Sequence, residues 1–382
     1  MKNAKVLFAV CAIACTGSLH WIHTPVFASE SSDDIHEREI TAPSEIIAVL
    51  DLISTCTQDN YRKIQTWTGQ AEVEIKYLHT GKNAKEIFQA FTDGKGEPPH
   101  ALLQIINEQF EFAVNAQKNL VYTDSFRAKP SRYLDAATLQ DLGNKGSNPH
   151  RLTCIATPDY LIQAEPRSVD PKEKKITASW ATKIPSKRNP STELYDETGD
   201  PRLTFAPGGV YPWKGFDSIR DKIQMNAKIE FDGYQYKVYE AKRGDQQIFK
   251  IIHPAVINLQ RSSPEHYVVT TKICSGKYGY NFTEWKISRG DGLLLSEYFW
   301  EYELVKGVFL PALYIEKQYN SSGEIVRERK MQFVVNKINQ SLNLDRFDYK
   351  NLPLRDGDLF IDEIENKRYT FNAGRLVEEI KK

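Results

Sequence analysis

The stretch between Trp285 and Ile338 constrains the fold more than any other part of the sequence. Within it, the segment from Leu294 to Leu304 carries mainly leucine and aromatic side chains on one parity and mainly glutamates on the other. Because successive side chains of a β-strand point to opposite faces, this pattern predicts a strand with one apolar and one acidic face. Turn-forming residues at 306–307 and 320–323 separate it from two further strands. The stretch therefore predicts a long antiparallel meander.

The two strands that follow continue the alternation, from Phe309 to Tyr319 and from Ile325 to Ile338. The apolar parity of the first is formed by Leu313, Ile315 and Tyr319, and that of the second by Met331, Phe333 and Val335, with Arg327 and Arg329 further along the same face. A curved meander with such a face forms either the wall of a core or the wall of a ligand cavity.

The earlier part of the chain predicts one N-terminal helix followed by further strands. Apolar residues recur at helical spacing from Thr41 to Ile64, with Thr41 as the N-cap and Pro43 in the first turn. Strict alternation from Gly69 to Leu78 predicts a strand, and a turn at 80–83 leads into a second strand at 86–92. Further predicted elements are strands at 101–106, 110–114, 120–123, 176–181, 229–231, 234–240, 247–252 and 267–273, and short helices at 135–142 and 215–224.

The charge balance of the chain excludes one broad class of partner. The 382 residues include 50 Lys and Arg and 50 Asp and Glu, so the formal net charge is zero. A chain without a net positive field is not drawn to nucleic acid or to an anionic membrane surface by its overall charge. The 19 Tyr, 18 Phe and 6 Trp residues favour strands over helices.

The N-terminus has the pattern of an export signal at residues 1–28. Lys2 and Lys5 precede a short apolar run, and a small-residue cleavage site lies before Ser29. The alternative is a lipoprotein signal in which Cys15 is lipidated. Residues 29–40 are polar and predict a disordered leader, and residues 41–382 predict a single domain. An exported chain, located in the periplasm or cell envelope and without a membrane-spanning segment after cleavage, follows from this pattern.

Three cysteines remain beyond the signal, Cys56, Cys154 and Cys274. An odd number at wide spacing predicts neither a disulfide framework nor a metal site, although one disulfide with a spare thiol stays open. Three buried thiols that pack as small hydrophobic groups are the expected arrangement.

No catalytic signature emerges from the spacing of polar residues. The sequence lacks a phosphate-binding loop, a dinucleotide glycine fingerprint, paired helical histidines and a nucleophile elbow. Glu297, Glu301 and Glu303 share one strand face, and a pair of them could act as acid and base in a secreted hydrolase. The alternation already explains these glutamates as the solvent-exposed face of an amphipathic strand, with basic residues of the strand at 325–338 opposite them. No cofactor and no metal is predicted.

Four features coincide: the export signal, one N-terminal amphipathic helix, a first strand entered through the segment from Asn60 to Val73, and the long meander. That segment, with Tyr61, Trp67 and Gly69, resembles the opening of the outer-membrane lipoprotein-sorting protein superfamily, the periplasmic lipoprotein carriers and their relatives. The segment 307–311 is similar to the hairpins of that superfamily, and the tail at 342–358 resembles extensions of its large secreted bacterial members. Residues 128–212 match less well.

The resemblance implies a mainly β (α+β) fold, an open and strongly curved antiparallel half-barrel with the N-terminal helix and short helices on its concave face. Members of the superfamily bind acyl chains of lipoproteins or other lipids, or sense envelope proteins, and are not generally enzymes. No functional residue of the family is carried over to this chain.

The leading hypothesis is an exported, non-enzymatic binding protein that shields a lipid or an acylated protein in a hydrophobic half-barrel cavity. The candidate lining residues are Val73, Ile75, Phe110, Phe112, Tyr298, Trp300, Tyr302, Leu313, Met331 and Phe333. The alternative is an envelope protein-interaction or sensor module that uses the same fold as a plain scaffold, and the third hypothesis is the carboxylate-pair hydrolase.

Overall fold

A computed structural model describes residues 37–379, apart from 93–94, 128, 145–149, 166–179, 187–200, 206–215, 217–219, 222–229, 232–233, 257–266, 350–351 and 353. The helices in this part are α1 (Pro43–Arg62) and α2 (Gly81–Thr92). The strands are β1 (Arg38–Ile40), β2 (Thr66–Thr80), β3 (Ala101–Asn115), β4 (Leu120–Arg127), β5 (Arg132–Asp135), β6 (Asp141–Asn144), β7 (His150–Ala156), β8 (Tyr160–Glu165), β9 (Trp180–Pro185), β10 (Glu230–Phe231), β11 (Tyr234–Gln235), β12 (Lys237–Arg243), β13 (Gln246–Val256), β14 (Tyr267–Ser275), β15 (Phe282–Arg289), β16 (Leu294–Val305), β17 (Val308–Tyr319), β18 (Ile325–Ile338), β19 (Leu359–Asp362), β20 (Lys367–Asn372) and β21 (Arg375–Glu378).

The long sheet is a meander from β12 to β18 whose last strand pairs back with β2. Strand β2 lies between β18 and β3, so the first long strand of the chain joins the C-terminal meander to the rest of the sheet. Beyond β3 the sheet continues through β4, β7, β8 and β9. These pairs are antiparallel, whereas β9 and β19 run parallel. The predicted antiparallel meander is confirmed.

Irregular registers bend the sheet at several strand pairs. The register shifts between β14 and β15, β15 and β16, β16 and β17, and β18 and β2. An extra residue in one strand of an antiparallel pair bends that strand and increases its twist. The predicted open, curved sheet with an N-terminal helix is confirmed.

Helix α1 covers part of the apolar face of this sheet. Ile46, Leu50 and Ile53 are buried in one cluster with Trp67 and Phe112 of the sheet. The helix begins after Ala42, which makes no side-chain capping hydrogen bond, so the predicted cap at Thr41 is wrong. Proline in the first turn needs no amide partner there, which lets the helix begin without a side-chain cap.

Residues 38–40, predicted as part of a disordered leader, form β1, which pairs with β12, and Ile40 is buried. Two further local predictions are also wrong. The chain forms α2 at 81–92, where a turn and a strand were predicted, because Ala84 and Phe88 lie one helical turn apart and are both buried. The segment predicted as a helix at 135–142 instead links β5 to β6 by a turn. There the Asp135 side chain accepts hydrogen bonds from the amides of Ala137 and Thr138, an Asx turn that reverses the chain. Most of the predicted helix at 215–224 and part of the 128–212 region lie outside the described residues.

A second core lies between β3, β7, β8, β9 and the C-terminal segment. It contains Ile155, Ile162, Phe347, Leu352 and Phe360, all buried. The C-terminal tail is therefore part of the folded structure.

Candidate functional site

Two neighbouring rows of side chains cross the apolar face of the sheet. The first, which we call the buried row, consists of the cross-strand partners Trp300, Tyr314, Met331 and Val73 on β16, β17, β18 and β2. The second, which we call the open row, consists of Trp285, Tyr298, Glu316, Arg329 and Ile75, from β15 to β2. The two rows are two residues apart along each strand they share, so they lie on the same face.

The buried row belongs to the protein core. Its four side chains are between 2% and 5% exposed. The candidate residues Phe110, Phe112 and Phe333 are buried in the same cluster. Trp67 stacks on Phe333 at 5.9 Å and meets Phe112 edge-on at 4.8 Å between ring centroids. Six of the ten predicted lining residues are thus packed against one another in the interior, namely Val73, Phe110, Phe112, Trp300, Met331 and Phe333.

The open row is only half-buried, and it places aromatic rings beside the core. Ile75 and Tyr298 are partly buried and pack against the core cluster. Tyr298 lies 5.6 Å from Trp285 and 6.2 Å from Trp300 between ring centroids. Trp300 in turn lies 5.6 Å from Tyr314. A continuous aromatic surface therefore runs from the open row into the buried row.

The remaining two candidates lie elsewhere. Tyr302 is partly buried and packs against the core, and its hydroxyl donates a 2.8 Å hydrogen bond to the carbonyl oxygen of Phe282. Burial raises the pKa of the Tyr302 phenol well above its usual value. Leu313 pairs with Gln332 and Glu301, next to the inward-facing pair of Tyr314 and Met331. The structure therefore places Leu313 on the opposite face of the sheet from the two rows.

Charged groups enter the open row at β17 and β18. The Glu316 carboxylate accepts hydrogen bonds of 2.9 Å from both Arg327 and Gln318. The Glu316 side chain is 13% exposed, so this ion pair is largely shielded from water. Burial, and then the charge of Glu316, raise the pKa of the Tyr298 phenol. The open row therefore combines an aromatic half with an ionic half.

A segment of the middle region contacts the buried row at Trp300. The indole Nε1 of Trp300 donates a 2.6 Å hydrogen bond to the carbonyl oxygen of Thr204, in the short 3₁₀ helix Pro201–Phe205. Arg202 and Thr204 are both buried. Sequence reasoning missed this contact, because the polar, proline-bearing segment before it predicted only loops.

At β14 the row of partners continues beyond Trp285 to Lys272, which is 6% exposed. Its ammonium lies 4.7 Å from the centre of the Trp285 ring and 5.4–5.5 Å from those of Phe216 and Phe282. Burial lowers the pKa of Lys272 to about 8. Sequence reasoning missed this residue, although Val268 and Cys274 on the same parity of the strand are a weak apolar signal around it.

The opposite face carries two grooves across β18, β2, β3 and β4. Their volumes are about 490 Å³ and 390 Å³. Both are lined by Glu72, Gln109 and Phe126, and Val334 borders the smaller one. Phe126 is 37% exposed and Val334 is 60% exposed. The grooves thus combine polar and charged side chains with apolar surface, which includes the exposed side chains of Phe126 and Val334.

Two of the three carboxylates considered for catalysis, Glu297 and Glu303, have structural partners. Glu297 accepts from the hydroxyl of Tyr319 and lies 3.6 Å from Lys286, and Glu303 accepts from Asn336. Arg327 pairs with Glu316 rather than with this acidic face. Within the described ranges, no group of three or more His, Cys, Asp or Glu side chains is arranged to hold a metal ion. In the same part of the chain, no helix has the length and apolar character needed to cross a membrane.

Cys56, Cys154 and Cys274 are free thiols, so no disulfide joins them. Cys154 and Cys274 are buried, as predicted, and Cys56 is half-buried. Burial raises the pKa of both Cys154 and Cys274, which keeps these thiols neutral at pH 7.

The fold and the two rows define a class: an open antiparallel sheet with a helix on its apolar face. Similar solved structures include a domain from Vibrio parahaemolyticus described as an outer membrane lipoprotein-sorting protein domain, at 9% identity and a TM-score of 0.35, covering 77% of this chain and 95% of that one. A LolA superfamily protein from Nitrosomonas europaea is similar at 10% identity and a TM-score of 0.29, over 82% of this chain and all of that one. A DUF1329 family protein from Desulfovibrio piger is similar at 8% identity and a TM-score of 0.36, covering 82% of this chain and all of that one.

Two of these structures are described by the superfamily that the sequence resembles. At such identities and TM-scores the similarity concerns the arrangement of the fold, and nothing about ligands follows from it. No family model and no curated protein matches the chain.

Proposed function

We propose that this chain is an exported, non-enzymatic binding protein that shields an acyl chain, of a lipid or of an acylated protein, against the aromatic half of the open row. The observation that supports this most directly is the half-buried aromatic surface of Trp285 and Tyr298, which continues into Trp300. Burying an acyl chain stabilises the complex by roughly 0.8 kcal/mol per methylene group. A long chain therefore needs an apolar wall and no array of polar contacts.

The proposal moves the predicted lining away from the buried row. Side chains that are packed in the core cannot also face a ligand unless the core opens. Of the ten candidates, Ile75 and Tyr298 are the half-buried residues of the open row. The ligand wall is accordingly Trp285 and Tyr298, with Trp300 at its inner border, whereas Ile75 lies beyond Glu316 and Arg329 at the far end of the open row.

A binding experiment tests this wall with matched variants. The full chain is stripped of lipid by organic extraction, and uptake of added hexadecanol is measured by native mass spectrometry. We expect Tyr298→Glu to weaken uptake at least about tenfold, because a carboxylate beside an acyl chain is costly to desolvate. Leu313→Glu is the control, since that side chain is half-buried in the same sheet but on the opposite face. Absence of uptake by the natural chain, or equal loss in the control, would contradict the proposal.

The interaction-module alternative has its own supporting observation. Phe126 and Val334 are exposed beside the two grooves of the opposite face. Exposed apolar side chains framed by polar groups are typical of protein contact sites. If the natural chain takes up no lipid, but Val334→Asp abolishes cross-linking to an envelope protein in host cells, this alternative replaces the carrier proposal. Asn107, exposed in the larger groove without a large apolar group, provides the control Asn107→Asp.

The hydrolase hypothesis requires two buried carboxylates that face each other in a cleft. The buried acids in the described part of the chain are Asp358 and Asp362. Asp362 is paired with Lys183 at 2.8 Å, and Asp358 accepts from the amide of Arg355. Both have structural partners, so the non-enzymatic reading is the one we propose.

A further inference from the structure

Lys272 is a buried cation without a compensating anion in the described part of the chain. Its three neighbours there are the rings of Phe216, Phe282 and Trp285. Among the described residues its ammonium forms no ion pair, and the titratable group that acts on it is Cys274. Because burial raises the pKa of Cys274, that thiol is neutral at pH 7 and supplies no negative charge.

Trp285 offers a second donor beside it. The Trp285 indole Nε1 is buried and has no hydrogen-bond acceptor among the residues that the structure describes. The two residues are direct cross-strand partners on β14 and β15, so their side chains lie side by side on one face. Two donors without acceptors therefore occur together at the β14 end of the row that forms the proposed wall.

Such an arrangement is unfavourable unless something completes it. Aromatic rings stabilise a nearby ammonium by roughly 0.5–2 kcal/mol, which offsets part of its desolvation. A buried donor that lacks an acceptor costs a further 1–3 kcal/mol or so. An anion placed between Lys272 and Trp285 would supply both the missing charge and the missing acceptor.

We propose that Lys272 and Trp285 bind the carboxylate headgroup of an anionic amphiphile, one oxygen accepting from the Lys272 ammonium and the other from the Trp285 indole. The inference rests on the proposed function and deepens it, because the acyl chain of this ligand lies against Tyr298, the cross-strand partner of Trp285. The ligand class is a long-chain fatty acid. Thr270, two residues from Lys272 on the same face, fits that assignment. Its hydroxyl already donates a hydrogen bond to the carbonyl oxygen of His253, so it does not compete for the headgroup.

The test compares two ligands that differ only in the headgroup. The lipid-stripped full chain is titrated with palmitate and with hexadecanol at pH 7, and both dissociation constants are measured by native mass spectrometry. For the natural chain we expect palmitate to bind at least about tenfold tighter, the equivalent of one charge-assisted contact. In Lys272→Met this preference disappears while hexadecanol affinity is retained. In Trp285→Phe the preference falls about three- to tenfold.

The control variant is Lys286→Met. Lys286 follows Trp285 on β15 and points to the opposite face, where it pairs with Glu284 and lies near Glu297. Its palmitate preference should equal that of the natural chain. Circular dichroism establishes that each variant is folded.

The outcomes separate this inference from the proposed function. If hexadecanol and palmitate bind the natural chain and Lys272→Met equally, the carboxylate site is wrong and the acyl-chain proposal stands. If neither ligand binds the natural chain, both fail. If palmitate preference persists in Lys272→Met and Trp285→Phe but is lost in Lys286→Met, the headgroup lies on the other face and this assignment is overturned.

Discussion

The side-chain amide of Asn60 makes two hydrogen bonds with the backbone of Phe309. Asn60 Nδ2 donates to the Phe309 carbonyl at 2.9 Å, and the Phe309 amide donates to Asn60 Oδ1 at 2.8 Å. Asn60 lies near the end of α1 and is 5% exposed, while Phe309 is the second residue of β17. This contact fixes the last turn of the helix against the meander.

Replacing Asn60 should therefore destabilise the fold. In Asn60→Ala the amide and carbonyl of Phe309 lose their partners in a buried place, and we expect a loss of about 1–3 kcal/mol in the free energy of unfolding. Urea denaturation followed by circular dichroism measures it. Thr55→Ala, at an exposed position of the same helix, should change stability by less than about 0.5 kcal/mol. Equal effects of the two substitutions would show that the Asn60 contact has no special weight.

Gly69 is predicted to be essential where β2 passes between β3 and β18. A Cβ atom at this position would overlap the Phe112 ring and lie 2.5 Å from the carbonyl oxygen of Val335. Because that oxygen belongs to backbone, it cannot move aside as a side chain does. We expect Gly69→Ala to destabilise the protein by about 1–3 kcal/mol, measured by thermal denaturation. The neighbouring exposed Gln70→Ala is the control, and a stable Gly69→Ala variant would mean that the strands separate there without cost.

The buried charge of Lys272 should make stability rise with pH. Its pKa is lowered from 10.5 to about 8 on folding, so between these values the unfolded chain binds more protons and deprotonation favours the folded state. Below pH 8 the folded protein bears the full cost of burying the charged ammonium. Lys272→Met removes this cost and should therefore stabilise the ligand-free protein by about 1–3 kcal/mol at pH 7. The difference between the two proteins should shrink as the pH rises towards 10.5. Tyr302 also has a raised pKa, but it titrates in either protein and cancels in the comparison. The charge of Lys272 lowers the pKa of Cys274, so Lys272→Met raises that pKa further and the buried thiol stays neutral in both proteins.

This measurement uses urea denaturation of lipid-stripped protein at several pH values between 7 and 10. Destabilisation by Lys272→Met at pH 7 would show that the ammonium has a favourable partner in the folded chain. That result would also remove the reason for assigning a headgroup to it.

The ion pair of Lys183 and Asp362 links the parallel strands β9 and β19. The Lys183 Nζ and Asp362 Oδ2 atoms lie 2.8 Å apart, and the Asp362 side chain is 7% exposed. Burial acts to raise the pKa of Asp362, but the bonds from Lys183 and from the amides of Glu365 and Ile364 outweigh it, and the pKa is lowered. A carboxyl group whose pKa is lowered on folding stabilises the folded state at pH values above its usual pKa. That stabilisation is lost as the pH falls through the pKa of the folded state.

Lys183→Met should accordingly cost about 1–3 kcal/mol at pH 7, because it leaves a buried carboxylate without its counter-ion. The difference from the natural chain should narrow below about pH 4, as Asp362 becomes protonated. Denaturation at pH 7 and pH 3 measures both effects. Lys367→Met removes an exposed pair with Glu378 at 3.4 Å and should change stability little at either pH.

The strands of the meander could be predicted from the sequence, because alternation along one strand is a local property. The pattern between Leu294 and Leu304 places Tyr298 and Trp300 on one face, as the structure does. Helix α1 was also predictable, since its apolar residues repeat at helical spacing. The face of Leu313 was not, because β17 carries apolar side chains on both parities, and only its pairing with β16 and β18 selects Tyr314 as the inward residue.

The sequence by itself determined the strands of the meander, where they turn and that one face of the meander is aromatic, since each of these depends on neighbours along the chain. Tertiary structure decided that β2 pairs with β18, that Thr204 contacts Trp300, and that Lys272 is buried under Phe216. These contacts join residues far apart in sequence. Their formation depends on how the sheet curves and on what packs against it. The spacing of apolar residues along one strand determines neither.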